Sequence, residues 1–240
     1  MVLFHFFKGY FADDHVLREV TGFGWLGVEA FFVVSGFVIP LSMHYSRFEL
    51  SCIHRFMAKR WIRLSPPYLI SVVVVVLLWK ASTLAPGFAG DPFTLTLRDL
   101  ISHFFYANDF IGQPWLNPVY WTLAIELQYY FIIALAFPLF FSKKVSLRAL
   151  AAALAFSIGL FGWPQSIVLK WTFVFWSGIA IAQYRTKTIL QYEALVTASL
   201  VMFGTYYCNG LQIFVVTLTT TCLILFVQTC LLYTSPSPRD

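Results

Sequence analysis

Charge is what this 240-residue chain has least of. Its 16 Lys and Arg and 11 Asp and Glu make up 11% of the residues, where soluble domains carry about a quarter. That scarcity excludes an ordinary soluble domain. With 59% hydrophobic and 19% aromatic residues and a mean hydropathy of +0.75, the composition indicates a polytopic membrane protein. Cysteine is scarce too: Cys52, Cys208, Cys222 and Cys230 show neither C-x-x-C spacing nor a disulfide framework, so no redox or metal role is assigned to them. A Gly-rich phosphate loop, an H-E-x-x-H and a G-x-S-x-G are all missing. His15, His44 and His103 have no ligand-like spacing and are read as loop residues. There is no cleavable signal peptide pattern, no internal repeat and no separate soluble domain.

What is present is a series of apolar windows of spanning length, near 24–42, 68–85, 118–141, 148–163, 166–184, 190–208 and 211–229. Met1–Phe7 supplies only the last part of a further span. The expected fold is therefore an all-α transmembrane bundle with about eight spans, the first partial. At the other end, "CLLYTSPSPRD" (Cys230–Asp240) resembles a forward-frame translation of a transposase adapter used in sequencing libraries. Residues 230–240 are accordingly read as a non-native tail, and 1–229 as one transmembrane domain truncated at both ends.

The basic residues are not scattered. Alternate loops hold Arg47, Arg55, Lys59, Arg60 and Arg63, then Lys143, Lys144 and Arg148, then Arg185 and Lys187, ten of the sixteen in all. The intervening loops are acidic or neutral, with Asp13, Asp14 and Glu19, then Asp91, Asp99 and Asp109. Cationic loops stay in the cytoplasm, so one topology satisfies all of them. The net charge of +5 is thereby explained without a nucleic-acid partner.

Four polar constellations exceed what an anchor needs, because ionisable groups at membrane depth are costly. His5 in "MVLFHFFKGY" has the chemistry of a general base, or is an interfacial histidine near Lys8. In "GWLGVEAFFVVSGFVIP" (residues 24–40), Gly24, Gly27, Phe31 and Ser35 share one helix face, and Glu29 and Gly36 an adjoining one. Close helix packing accounts for such glycines as well as a cavity does, and Glu29 is either solvated near the outer surface or faces a cavity. In "CIHRFMAKRWIRLSPPYL" a helix puts Arg55, Lys59 and Arg63 on one stripe with Arg60 adjoining, and Pro66–Pro67 are expected to end the turn before the next span. Such a cluster binds anionic lipid headgroups or the phosphates of a nucleotide-bearing cofactor. In "NPVYWTLAIELQYYF" (Asn117–Phe131), Thr122, Glu126, Tyr129 and Ile133 share a face. A carboxylate there serves proton transfer or orients a histidine, or pairs structurally with an arginine.

Taken in order, "GWLGVEAFFVVSGFVI", "RFMAKRWIRLSPPYL" and "YWTLAIELQYYF" resemble the acyltransferase 3 family of integral membrane acyltransferases, which modify bacterial surface polysaccharides and other extracytoplasmic molecules. "VLFHFF" resembles the end of the family's first helix, which carries its essential histidine. The resemblance covers residues 1–229 and implies roughly ten helices around a central cavity in the inner (plasma) membrane. It implies that acyl-CoA, in the first instance acetyl-CoA, enters from the cytoplasm. The implied acceptor is a hydroxyl of a glycan or lipid-linked saccharide arriving from outside, and membrane lipids surround the whole. By likeness, His5 is the catalytic base, with Glu126 or Glu29 orienting or charge-balancing it. Arg55, Lys59, Arg60 and Arg63 then hold the CoA phosphates. Ser35, Trp121, Thr122 and Tyr129 line the cavity, and the glycines of residues 24–40 leave room for the pantetheine arm. The family's arginine about ten residues before its histidine would fall before Met1, so the polypeptide as written is expected to be inactive. Two other classes remain: a proton-coupled carrier, favoured by intramembrane acids and Gly/Pro-interrupted helices, and a structural membrane subunit whose basic cluster only touches lipid.

Overall fold

The computed structural model describes residues 23–86 and 94–234. Their regular structure is all helical, with no strand among the described residues. In chain order the helices are α1 (Gly27–Tyr45), α2 (Ile53–Ser82), α3 (Leu97–Phe104), α4 (Asn108–Ile111), α5 (Trp121–Phe140), α6 (Val145–Gly159), α7 (Thr172–Arg185) and α8 (Gln191–Thr234). Gly24–Tyr45, Leu50–Ser82, Pro118–Phe140 and Gln191–Val227 are long and apolar enough to cross a bilayer, and Val145–Gly159 is a shorter apolar helix. The fold is a helical membrane bundle, as its composition requires.

The apolar window at 68–85 is only the second half of a longer element. Pro66 and Pro67 were expected to stop the helix, yet both lie inside α2. Proline interrupts a helix by removing a backbone donor and crowding the preceding turn. Inside a membrane bundle neighbouring groups can compensate, so proline is tolerated there. The basic cluster and the apolar run are thus one continuous rod of about 45 Å.

The windows at 190–208 and 211–229 correspond to two arms of α8. Gly210 sits between them at φ 83 and ψ 175, a left-handed conformation that side chains disfavour. A straight helix would separate Leu195 from Leu225 by about 45 Å. Instead both residues line one cavity, together with Ala198, Met202 and Thr221, and the rings of Tyr206 and Phe214 lie 5.9 Å apart. The chain folds back at Gly210. Gly210→Ala is expected to lower stability by about 1–2 kcal/mol, the cost of forcing a Cβ into left-handed backbone. Thermal unfolding in detergent reads this, and an unchanged midpoint would show that the turn tolerates a side chain.

The chain divides into two compact units. One contains the residues up to Phe48, Ala136–Gln165 and the residues from Leu169 onward; the other contains Glu49–Leu135 and Ser166–Val168. In the first unit α7 is the central rod, with ten of its fourteen residues buried, as expected of a helix apolar on all sides. Phe32 of α1 stacks on Phe175 (centroids 4.8 Å apart) and meets Trp171 edge-on. Gly36 and Gly178 bring α1 and α7 into backbone contact. A Cβ on Gly36 would overlap the Phe175 carbonyl, and one on Gly178 would overlap the Val33 carbonyl. Such small-residue contacts drive helix association where lipid removes the hydrophobic driving force. Gly178→Ala should therefore destabilise by about 1–3 kcal/mol, the usual cost of overpacking. A midpoint equal to wild type would refute the tight contact.

A half-buried ion pair closes the same unit. Arg148 of α6 donates to both carboxylate oxygens of Glu193 on α8 (2.9 and 2.8 Å) and to the Ser142 carbonyl. Gln183 Nε2 donates to the Phe140 carbonyl at 2.6 Å.

Candidate functional site

The second unit is built by α2 and the first part of α5 running antiparallel. The hydroxyls of Ser71 and Tyr120 meet at 2.6 Å, and further along, Phe56 and Tyr130 meet edge-on at 6.3 Å. Between these contacts lies an aromatic core. Tyr68 stacks on Tyr106 and meets Tyr120 edge-on, and the Tyr106 hydroxyl bonds that of Ser65.

This register brings two of the sequence constellations together. Arg60 places its guanidinium 5.4 Å from the ring centroids of both Phe56 and Tyr130, a cation–π arrangement that favours arginine. The Tyr130 hydroxyl in turn donates to Oε1 of Glu126. Glu126 is buried (5% exposed), and the charges of Arg60 and Arg63 both act on it. Its hydrogen-bond partner is therefore a tyrosine one helical turn away, with an arginine laid over that tyrosine's ring. Arg55, Lys59 and Arg63 form the expected exposed stripe on α2, while Arg60 is half-buried. Of the four, only Arg60 is half-buried, with its guanidinium over the Tyr130 ring.

The expected face of α5 is the packed one. Glu126, Tyr129 and Ile133 are buried, and Thr122 is half-buried with its hydroxyl on the Val119 carbonyl (2.9 Å). The other face carries the exposed Phe131, Ile132 and Leu135. Trp121 is half-buried at the start of the helix.

Glu29 belongs to the other unit. It lies in the first turn of α1 and is buried (2% exposed), so it is not solvated. Its Oε2 has no hydrogen-bond partner among the described residues. Ser35 is buried on the same helix. The glycines need a correction, however. The Glu29–Gly36 face is the buried one, whereas Gly27 and Phe31 are exposed. The space beside Gly36 is filled by the α7 backbone, so that glycine serves packing and leaves no room for a pantetheine arm. His5 lies outside the described residues, as do Lys8, Asp13, Asp14, His15, Glu19, Asp91 and Ser235–Asp240.

Two histidines assigned to loops are helical. His44 is in the last turn of α1. His103 is in the last turn of α3 and fully buried, because its ring serves the backbone: Nε2 accepts the Leu116 N–H at 3.2 Å. Tyr130 was missed as a site residue. Its spacing of four from Glu126 was the available signal, since such pairs meet on a helix surface.

The profile of the acyltransferase domain matches residues 1–237. The chain belongs to the acyltransferase 3 family. Among curated relatives, it is 31% identical over 152 residues to the peptidoglycan O-acetyltransferase OatA of Listeria monocytogenes, covering 57% of this chain and 23% of that protein. It is 30% identical over 134 residues to the O-acetyltransferase OatA of Staphylococcus aureus, covering 50% of this chain and 21% of the relative. A putative O-acetyltransferase of the same species is 27% identical over 167 residues, covering 64% and 25%. The matches thus extend over a quarter or less of those relatives. No solved structure matches significantly. The Arg60–Tyr130–Glu126 arrangement therefore lies within an acyltransferase domain.

Proposed function

We propose that the protein is a membrane O-acyltransferase that moves an acetyl group from acetyl-CoA to a hydroxyl of an extracytoplasmic glycan. The observation that carries this reading is the arrangement of Arg60 over Tyr130 and Tyr130 on Glu126. A guanidinium held beside a buried acid, on a helix bearing three more exposed cations, suits an anionic donor whose reactive end must reach a base. Arg60, Arg63, Arg55 and Lys59 would engage the CoA phosphates. His5 would take the proton of the acceptor hydroxyl as its oxygen attacks the thioester carbonyl. The C–S bond then breaks, and the imidazolium returns that proton to the departing thiolate as CoA-SH. Glu126, or Glu29, would orient or charge-balance the imidazole. Trp121, Thr122 and Tyr129 would line the site along α5. The names of the relatives favour a peptidoglycan-like glycan as acceptor, a lipid-linked saccharide being the other member of that class.

The test uses membranes carrying the intact gene product, supplied with radiolabelled acetyl-CoA. Label appearing in glycan supports the proposal. A solute gradient without labelled glycan would replace it with the carrier reading.

A further inference from the structure

The geometry points to a membrane-embedded hairpin. Residues 94–117, which the charge pattern assigns to an aqueous loop, dip back into the bilayer beside α2 and set the apolar stripe of α3 against lipid acyl chains. The proposal rests on α2 being a membrane span and is independent of the reaction assigned above.

Depth is the first argument. The chain leaves α2 at Ser82, but the following segment does not stay at that end. Tyr106 stacks on Tyr68 (4.5 Å), and the Tyr106 hydroxyl is 3.3 Å from that of Ser65, while Phe104 lies edge-on to Trp61 (5.2 Å) beside the basic cluster. Tyr68 is roughly 20 Å back from Ser82 along the helix axis and inside the apolar run of α2. The hydrocarbon core is about 30 Å thick, so the Tyr106 end of the segment lies at membrane depth.

The surface of the hairpin agrees. At the helical period Leu97, Leu100, Ile101 and Phe104 fall on one arc of α3. All four are exposed, from 41% at Phe104 to 73% at Leu97, and Phe105 and Phe110 extend the patch. The opposite face buries Ser102 and His103 completely. Through the Phe104–Trp61 contact, the stripe continues the exposed apolar surface of α2 at Ile62 and Ile70. In water such a patch marks an interaction site. Continuity with a lipid-facing span identifies lipid as its occupant.

Backbone chemistry supplies the third argument. Lipid offers no hydrogen bonds, so irregular backbone survives at membrane depth only where protein groups satisfy it. Here they do. His103 Nε2 accepts the Leu116 N–H, and the buried Asn108 donates to the Pro114 carbonyl at 3.1 Å. A Thr96–Asp99 capping box closes the start of α3. Arg98 and Asp109 remain exposed but are hydrogen-bonded, Arg98 to the Ile111 carbonyl (3.1 Å) and Asp109 from Trp115 Nε1 (3.1 Å). The hairpin has a consequence for the site. By returning the chain beside Ser71, it starts α5 partway along α2 and so sets Glu126 alongside Arg60.

The test is nitroxide labelling of the intact protein in nanodiscs of phosphatidylethanolamine and phosphatidylglycerol. Cys52, Cys208, Cys222 and Cys230 are replaced by Ser, and Leu100→Cys and Phe105→Cys are labelled in turn. Ile70→Cys, exposed on α2, is the lipid reference. Lys144→Cys, exposed in the basic loop after α5, is the aqueous reference. Both test positions are exposed, so labels there leave the packing intact. Power saturation should show oxygen relaxing the Leu100 and Phe105 labels several-fold more effectively than a nickel chelate, as at Ile70. Nickel accessibility equal to that at Lys144, at either position, overturns the proposal.

Discussion

Membranes carrying His5→Ala are expected to transfer label from acetyl-CoA to glycan roughly 10²–10⁴-fold more slowly than wild type, the usual contribution of a positioned general base. The hydroxyl of a sugar is a poor nucleophile, and its proton must leave as the oxygen attacks. Among the side chains that the family resemblance assigns to the reaction, only His5 exchanges a proton readily near neutrality without environmental tuning. The loss should fall on kcat, with the KM for acetyl-CoA little changed, because the proposed mechanism sets the imidazole on the acceptor and leaves the phosphates to other residues. A wild-type rate in His5→Ala membranes would remove the base from this position while leaving family membership intact.

The second large effect is expected at Arg60, and it should appear in the other kinetic parameter. Hydrogen bonds to charged groups contribute about 1.5–3 kcal/mol, so Arg60→Ala should raise the KM for acetyl-CoA about 10- to 100-fold at roughly 1.4 kcal/mol per decade. The guanidinium lies over the rings of Phe56 and Tyr130, a stacking that an ammonium cannot reproduce with the same planar fork. Arg60→Lys should therefore restore only part of the affinity, whereas Arg55→Ala and Lys59→Ala, on the exposed stripe, should cost less. An unchanged KM in Arg60→Ala would separate the basic cluster from the donor and favour the lipid-headgroup account. If kcat fell and KM stayed constant, the role of Arg60 would be to support Tyr130 and Glu126.

Several features of this fold were legible in the sequence for identifiable reasons. Apolar windows locate the spans because lipid forces backbone satisfaction and apolar surface onto the same residues. The break between the last two windows was visible from the hydropathy pattern around residues 209–210, and the structure places the positive-φ Gly210 there. The helical period correctly grouped Glu126 with Tyr129 and Ile133, because α5 is regular and buries that face. The same period grouped Gly24, Gly27, Phe31 and Ser35 equally well, but periodicity does not say which face meets a neighbour. The neighbour is α7, and it approaches the Glu29–Gly36 side.

Proline chemistry and the histidine assignments misled for a related reason. Pro66 and Pro67 are helix breakers locally, yet α2 runs through both. His103 is a loop residue by spacing, yet it ends a helix, and it and Asn108 are buried against the backbone of their own stretch. In each case the local preference was real and tertiary contacts outweighed it.

The sequence by itself determined the membrane class, the approximate positions of the apolar helices, the family and the residue types at the candidate site, although four of those helices, not about eight, are long enough to cross a bilayer among the described residues. Each depends on side-chain chemistry repeated along the chain, where neighbours in sequence suffice. Only the tertiary structure decided that Arg60, alone among four cations, turns inward over Tyr130 and that Tyr130 holds Glu126. It also decided which glycines are occupied by backbone. Those facts depend on the register between α2 and α5 and on the approach of α7 to α1. Register is set by packing between residues far apart in the chain, and no local pattern encodes it.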